Sequence, residues 1–169
     1  MRNNFSWTSS LGISAALFIT IAVIYMLIGT LGLIIIKTNA TGRTGKQFYL
    51  SKEVDTKVFG KTRSELIQQS PEFAKYITML MYVFCSFMVG MGILQYGVAR
   101  FALTEGQNWA YWVSVLSNVF MLLIYWLMVI LPVLQEYKVG YFALWHPYAL
   151  IPSILLPIAT ILGWIGLNK

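Results

Sequence analysis

The 12 basic and 6 acidic residues of this 169-residue chain all lie outside four long uncharged stretches. These stretches cover residues 3–36, 76–99, 106–135 and 139–168, and the shortest of them holds 24 residues. At about 1.5 Å of rise per residue, even that one is long enough to cross a hydrocarbon core roughly 30 Å thick. In lipid a spanning segment must satisfy its own backbone hydrogen bonds, and runs this long do so as helices. The pattern predicts an all-α polytopic membrane protein with four transmembrane helices in an up-down bundle. The spans fall at about 11–36, 73–99, 109–134 and 147–167, and residues 1–169 form a single four-helix membrane domain.

With 58% hydrophobic and 11% charged residues, the chain leaves no material for a separate soluble domain. A formal net charge of +6 would suggest nucleic acid as a partner in a soluble protein. Here the basic residues flank membrane segments, where they set orientation and meet anionic headgroups, so no nucleic-acid partner is expected. Arg2 followed by an apolar run resembles the start of a signal peptide. The run is far longer than an h-region of about 7–15 residues, which predicts a retained helix.

Residues 37–69 form the only sizeable polar connection. It opens with a turn-rich stretch, Thr38-Asn39-Ala40-Thr41-Gly42. Thr62-x-x-Glu65 has the spacing of a capping box and predicts a short helix through Leu66 and Ile67. Ser70-Pro71-Glu72 combines an N-cap residue, a proline suited to the first helical position and an acid in the first turn, so the second span should start at Pro71. Phe48, Tyr49, Val58 and Phe59 are expected at the interface or over helix ends. The remaining connections are short, which predicts spans two to four as successive antiparallel neighbours. In the second connection Arg100 and Glu105 are placed to form an exposed ion pair.

Nine basic residues flank or occupy the first and third connections: Lys37, Arg43, Lys46, Lys52, Lys57, Lys61, Arg63, Lys75 and Lys138. Arg2, Arg100 and Lys169 belong to the other side. The positive-inside rule then puts 37–69 in the cytoplasm and both termini outside. The sequons Asn4-Phe5-Ser6 and Asn39-Ala40-Thr41 require opposite orientations and so decide nothing.

Apolar helices gain little by burying side chains against each other in lipid, so small residues mark where backbones approach. Ser86 and Gly90 have small-xxx-small spacing, with Gly92 and Gly97 beyond them; Gly29, Gly32, Gly163 and Gly166 are further candidates. Asn118, inside the third span with Ser114 and Ser117 nearby, should face the bundle or a partner, because a carboxamide in lipid leaves its hydrogen-bonding groups unpaired. Gln95 is nearer a helix end. Pro152 and Pro157 in the fourth span each remove a backbone donor and should kink that helix. Trp7, Trp109, Trp112, Trp145 and Trp164 fall at span ends, as interfacial anchors do.

Groups able to do chemistry are sparse. Cys85 is the one cysteine and His146 the one histidine, and every carboxylate lies outside the spans. No intramolecular disulfide, Cys-x-x-Cys redox pair or intrachain bis-histidine haem site can form. His146 could ligate a haem or pigment only within a larger assembly; its plainer role is a hydrogen bond at the membrane edge. No cofactor, metal or catalytic residue is assigned.

The stretch from Arg100 through Gly106-Gln107-Asn108-Trp109-Ala110-Tyr111-Trp112, with Ser70-Pro71-Glu72 and the proline-rich last span, resembles small, uncharacterised four-span prokaryotic integral membrane proteins. The resemblance covers about 100 residues and implies a prokaryotic cell membrane, with no activity to carry over. DoxX-type membrane subunits share the four-span plan, which implies an accessory role in a redox complex; the long basic first connection departs from them. The sequence thus favours a non-catalytic accessory or scaffold subunit, with the lipid bilayer and another membrane protein or itself as partners. The alternative is a binding or transport module for a lipid, quinone or small molecule.

Overall fold

The computed structural model of the protein describes residues 5–40, 52–139 and 147–168. Among them, four helical runs are long and apolar enough to cross a membrane: Ser10–Lys37, Pro71–Leu103, Asn108–Tyr137 and Ala149–Leu167. The architecture is all-α, with no strand among the described residues. The first run belongs to α1 (Ser10–Ala40). Two short helices follow, α2 (Lys52–Phe59) and α3 (Arg63–Gln69), and then α4 (Pro71–Gly97). The third run is α5 (Asn108–Tyr125), a π turn at Trp126–Ile130 and α6 (Leu131–Tyr137); the fourth is α7 (Pro147–Leu167).

Local sequence accounts for most of these boundaries. Ser9 caps α1, its hydroxyl accepting from the Gly12 N–H at 3.1 Å. Thr62 and Glu65 form the capping box at the start of α3: the Thr62 N–H donates to Glu65 Oε2 at 2.7 Å, and the Glu65 N–H donates to Thr62 Oγ1 at 3.5 Å. α4 begins with Pro71 in its first turn as expected, but the Ser70 side chain makes no capping bond. Its far end widens into a π turn (Val98–Ala102) and then tightens into a 3-10 turn (Leu103–Glu105). Gly106 then adopts φ +75° and ends the helix. Its N–H donates to the Leu103 carbonyl and the Gln107 N–H to the Ala102 carbonyl, the paired bonds of a Schellman motif. The π turn at Trp126–Ile130 immediately precedes Pro132, which has no N–H to give and whose ring crowds the preceding turn; the wider turn accommodates both effects.

α1 is the centre of the bundle rather than its edge. It packs along α4 on one side and α7 on the other, and α5 packs on α7. α4 and α5, although joined by a tight turn, contact each other little beyond it, so the expected series of sequential neighbours does not hold for that pair. Small residues explain the difference. A Cβ at Gly29 would stand 2.8 Å from the Cys85 carbonyl oxygen, and one at Gly92 2.8 Å from that of Ala22. One at Gly166 would stand 2.7 Å from Leu11 Cα. The closest backbone approaches therefore all involve α1. They also fix direction: α4 runs antiparallel to α1, with Gly29 beside Cys85 and Gly92 beside Met26.

At the other end of the bundle, α2 lies over the end of the third run. Val54 is fully buried against Ile130 and Val139. The Lys57 ammonium donates to the Lys138 carbonyl at 3.2 Å and pairs with Glu53 at 3.5 Å. Phe59 meets Phe73 edge-on at 5.9 Å, while Val58 is exposed. Phe48 and Tyr49 lie outside the described residues.

Hydrogen bonds from the Thr62 backbone N–H, and then from its hydroxyl, hold the Glu65 carboxyl below the usual carboxylate range. A lowered value means that the carboxylate's contribution to capping α3 is present above the ordinary glutamate range and is lost as pH falls through the shifted value. Side-chain carboxyl NMR should show Glu65 titrating below the usual carboxylate range. Thr62→Ala, which removes the hydroxyl but keeps the backbone N–H, should raise it only part of the way back; an unchanged titration would contradict the hydroxyl's share in the capping box.

Candidate functional site

The bundle interior carries a small set of polar side chains, held where three spans meet. Tyr25 of α1 donates its hydroxyl to Asn118 Oδ1 on α5 at 3.1 Å. Asn118 Nδ2 donates to the Ser114 carbonyl one turn earlier at 2.8 Å. Asn118 is buried and faces the bundle, with both ends of its carboxamide engaged. Ser117 also donates to the Ser114 carbonyl, at 3.3 Å.

Two further polar atoms near this level have no partner among the described residues: Gln95 Nε2 and Ser114 Oγ, both buried. Gln95 sits about one turn beyond Gly92, and Ser114 one turn before Asn118. Because α4 opposes α1 and α5 runs parallel to it, both displacements point toward the same end of the bundle. Gln95 is thus more deeply set than its distance from the helix end suggested. It lies on the face of α4 that carries Met88, Gly92 and Ala99 against α1.

α7 acts as the acceptor for its neighbours. The Ser14 hydroxyl donates to the Ala159 carbonyl at 2.7 Å, and the Tyr111 hydroxyl to the Thr160 carbonyl at 2.9 Å. Gly163 makes both possible. A Cβ there would stand 2.6 Å from the Tyr111 ring and 2.7 Å from Ser14 Oγ, so its absence opens the carbonyls one turn below. Nearer the other end, Trp126 Nε1 donates to Ser153 Oγ at 3.0 Å, and that hydroxyl donates to the Ala149 carbonyl at 2.6 Å. α7 is assigned as one helix through both internal prolines. Pro152 is buried, whereas Pro157 is exposed.

Ser86 and Gly90 are placed differently from these contacts. Ser86 is exposed, and a Cβ at Gly90 or at Gly97 would meet nothing within 4 Å. At 100° per residue, Ser86, Gly90 and Gly97 fall within about 40° of one another on the side of α4 turned away from α1. Close approach inside the chain uses Gly92 instead. Asn118 joins the interior set with Tyr25, Pro152 belongs to the α7 interface, and Ser86, Gly90 and Pro157 face outward. Sequence reasoning missed Tyr25 and Ser14, whose hydroxyls give no directional signal within an apolar run.

The ion pair expected between Arg100 and Glu105 is not formed. The Arg100 guanidinium lies instead over Trp7, its Cζ 5.7 Å from the ring centroid and 6.0 Å from that of Phe101. The Schellman motif already holds the turn, so no charge pair is needed to order it. Among the described residues no three His, Cys, Asp or Glu side chains converge. His146, Trp145, Asn4 and Thr41 lie outside the described residues.

The contacts at Gly163 and Tyr25 set a stability ranking. Gly163→Val drives side-chain atoms into Tyr111 and Ser14 and should cost about 1–3 kcal/mol. Tyr25→Phe leaves a buried acceptor on Asn118 and should cost about 1 kcal/mol. Gly90→Ala should cost nothing, since its Cβ enters open space. Thermal unfolding in detergent measures all three, and a Gly90→Ala loss as large as that of Gly163→Val would contradict the packing. Compared with protein-family models, curated proteins and solved structures, the chain matches none.

Proposed function

We propose that this chain is a non-catalytic accessory or scaffold subunit that binds another membrane protein, or a second copy of itself, through the outer face of α4. The observation that carries the reading is the outward stripe of Ser86, Gly90 and Gly97. α4 meets the bundle along one side, against α1, and the glycines of the stripe relieve no contact within the chain. A glycine inside a helix costs about 1 kcal/mol relative to alanine, so two of them on an open face serve no internal purpose. Close approach of a helix from outside is what such a surface permits. Purification in mild detergent should recover a stoichiometric membrane partner or a defined homo-oligomer. Gly90→Leu should reduce that association about tenfold while leaving the fold intact. A monodisperse monomer with no co-purifying protein would overturn the reading.

A second reading is a module that binds a lipid, quinone or other small molecule. The unpartnered Gln95 Nε2 and Ser114 Oγ favour it, because buried polar atoms are rarely left unsatisfied. Native mass spectrometry of the detergent-purified chain should then show a retained small molecule that Gln95→Leu releases; its absence would remove that reading.

We further propose a prokaryotic cell membrane, on the resemblance given above, with both termini outside and 37–69 in the cytoplasm. The support is the excess of basic residues around the first and third connections, nine against three on the other side. In a Cys85→Ala background, a membrane-impermeant thiol reagent should label Thr104→Cys but not Thr44→Cys in intact cells. The reverse pattern would invert the topology.

A further inference from the structure

At the end of the bundle where α1 begins and α4 and α7 end, Trp7, Trp109, Trp112 and Trp164 gather at one level. Trp112 and Trp164 meet edge-on at 6.0 Å. Trp7 is held there by a built turn. The Ser9 hydroxyl donates to the Ser6 carbonyl at 2.6 Å. The chain at Ser6 and Trp7 folds directly over Gly12, where a Cβ would overlap the Ser6 carbonyl oxygen. Phe5 braces the indole edge-on, with ring centroids 4.9 Å apart. On the facing element, Ala99 is fully buried in the π turn at the end of α4, which turns its neighbour Arg100 outward.

The guanidinium therefore rests with Trp7 and Phe101 beside it, and no described residue accepts a hydrogen bond from it. A ring attracts a guanidinium by its charge and takes none of its five N–H donors, which stay available to an acceptor. Among the described residues no carboxylate or other acceptor meets them. At the depth of an aromatic belt the abundant acceptors are lipid phosphates, whose oxygens match the guanidinium fork. The surface leading away from Arg100 has matching chemistry. Phe101, Leu94 and Phe87 follow at intervals of seven residues and are among the most exposed apolar side chains of this run, at 67%, 67% and 70%. Fourteen residues of helix extend about 21 Å, close to the length of an acyl chain.

We infer that Arg100, seated on Trp7, binds the phosphodiester of one anionic phospholipid, with an acyl chain lying along Phe101, Leu94 and Phe87. This site borders the Ser86–Gly90–Gly97 stripe on the outer side of α4, but it uses other residues and does not depend on the function proposed for that stripe. The test uses the detergent-purified full chain titrated with phosphatidylglycerol, or with phosphatidylcholine of the same acyl chains, and counts retained lipids by native mass spectrometry. One phosphatidylglycerol per chain is expected, retained at least about fivefold better than phosphatidylcholine. Arg100→Gln should reduce retention about tenfold, and Trp7→Leu should weaken it with Arg100 present. Arg100→Lys, which keeps the charge and loses the planar fork, should fall between. Lys75→Gln, at the opposite end of α4, should leave retention unchanged. Equal retention by Arg100→Gln and the unmodified chain would overturn the site, as would equal retention of the two lipids. Release of the lipid by excess inorganic phosphate would overturn it in favour of a free-anion site.

Discussion

The bundle depends on how closely backbones can approach α1. In lipid there is no hydrophobic drive to press one greasy helix against another, so contact area, dispersion and a few hydrogen bonds must hold the spans together. Glycines at positions 29, 32 and 92 let α4 lie against α1, and those at 163 and 166 do the same for α7. Once α1 is held between them, Phe18, Ile21, Ala22 and Tyr25 are enclosed, and the polar groups of the interior come within reach of each other. The hydroxyls of Ser14 and Tyr111 find their carbonyl acceptors only because Gly163 lets them in. Packing precedes hydrogen bonding here, and the second is a consequence of the first.

The two proline-containing runs respond differently to the same missing donor. Ahead of Pro132 the third run widens into a π turn, whereas α7 stays helical past Pro152 and Pro157. The side-chain bond from Ser153 to the Ala149 carbonyl, with Trp126 donating to the same hydroxyl, adds polar partners beside Pro152. Neighbouring helices and hydroxyl side chains commonly compensate prolines in membranes in this way. The arrangement gives the third run a second attachment to α7, far from the one at Tyr111.

Class and span positions were legible because charge is expensive in lipid and its absence is easy to read. Helix starts were legible where a local rule acts: the Thr62–Glu65 box and Pro71 needed nothing beyond neighbouring residues. Asn118 could be assigned inward because a lipid-facing carboxamide is costly. Its partner could not, since nothing about Tyr25 within a uniformly apolar run indicates direction. The same difficulty hid which glycines face inward. A helix that is apolar all round has no amphipathic face to orient it, so Gly90 and Gly92 are equivalent in sequence and opposite in role. The central position of α1 was hidden for a related reason: short connections dictate which spans are joined, not which lie closest. Among the candidate residues, Ser86, Gly90 and Pro157 were identifiable by type, but their outward direction required the bundle.

The packing order of the spans also bears on how the chain assembles. α1 and α4 can pair as soon as both have entered the bilayer, since each supplies glycines to the other. The third run has no comparable partner among the spans made before it. Its main backbone neighbour, α7, is synthesised after it, and α7 supplies the acceptors for Tyr111 and Trp126. Until α7 arrives, those donors face lipid with no acceptor from it. α7 therefore works as a clasp: before it enters, the spans already made form an open assembly with unsatisfied polar groups, and its arrival closes them.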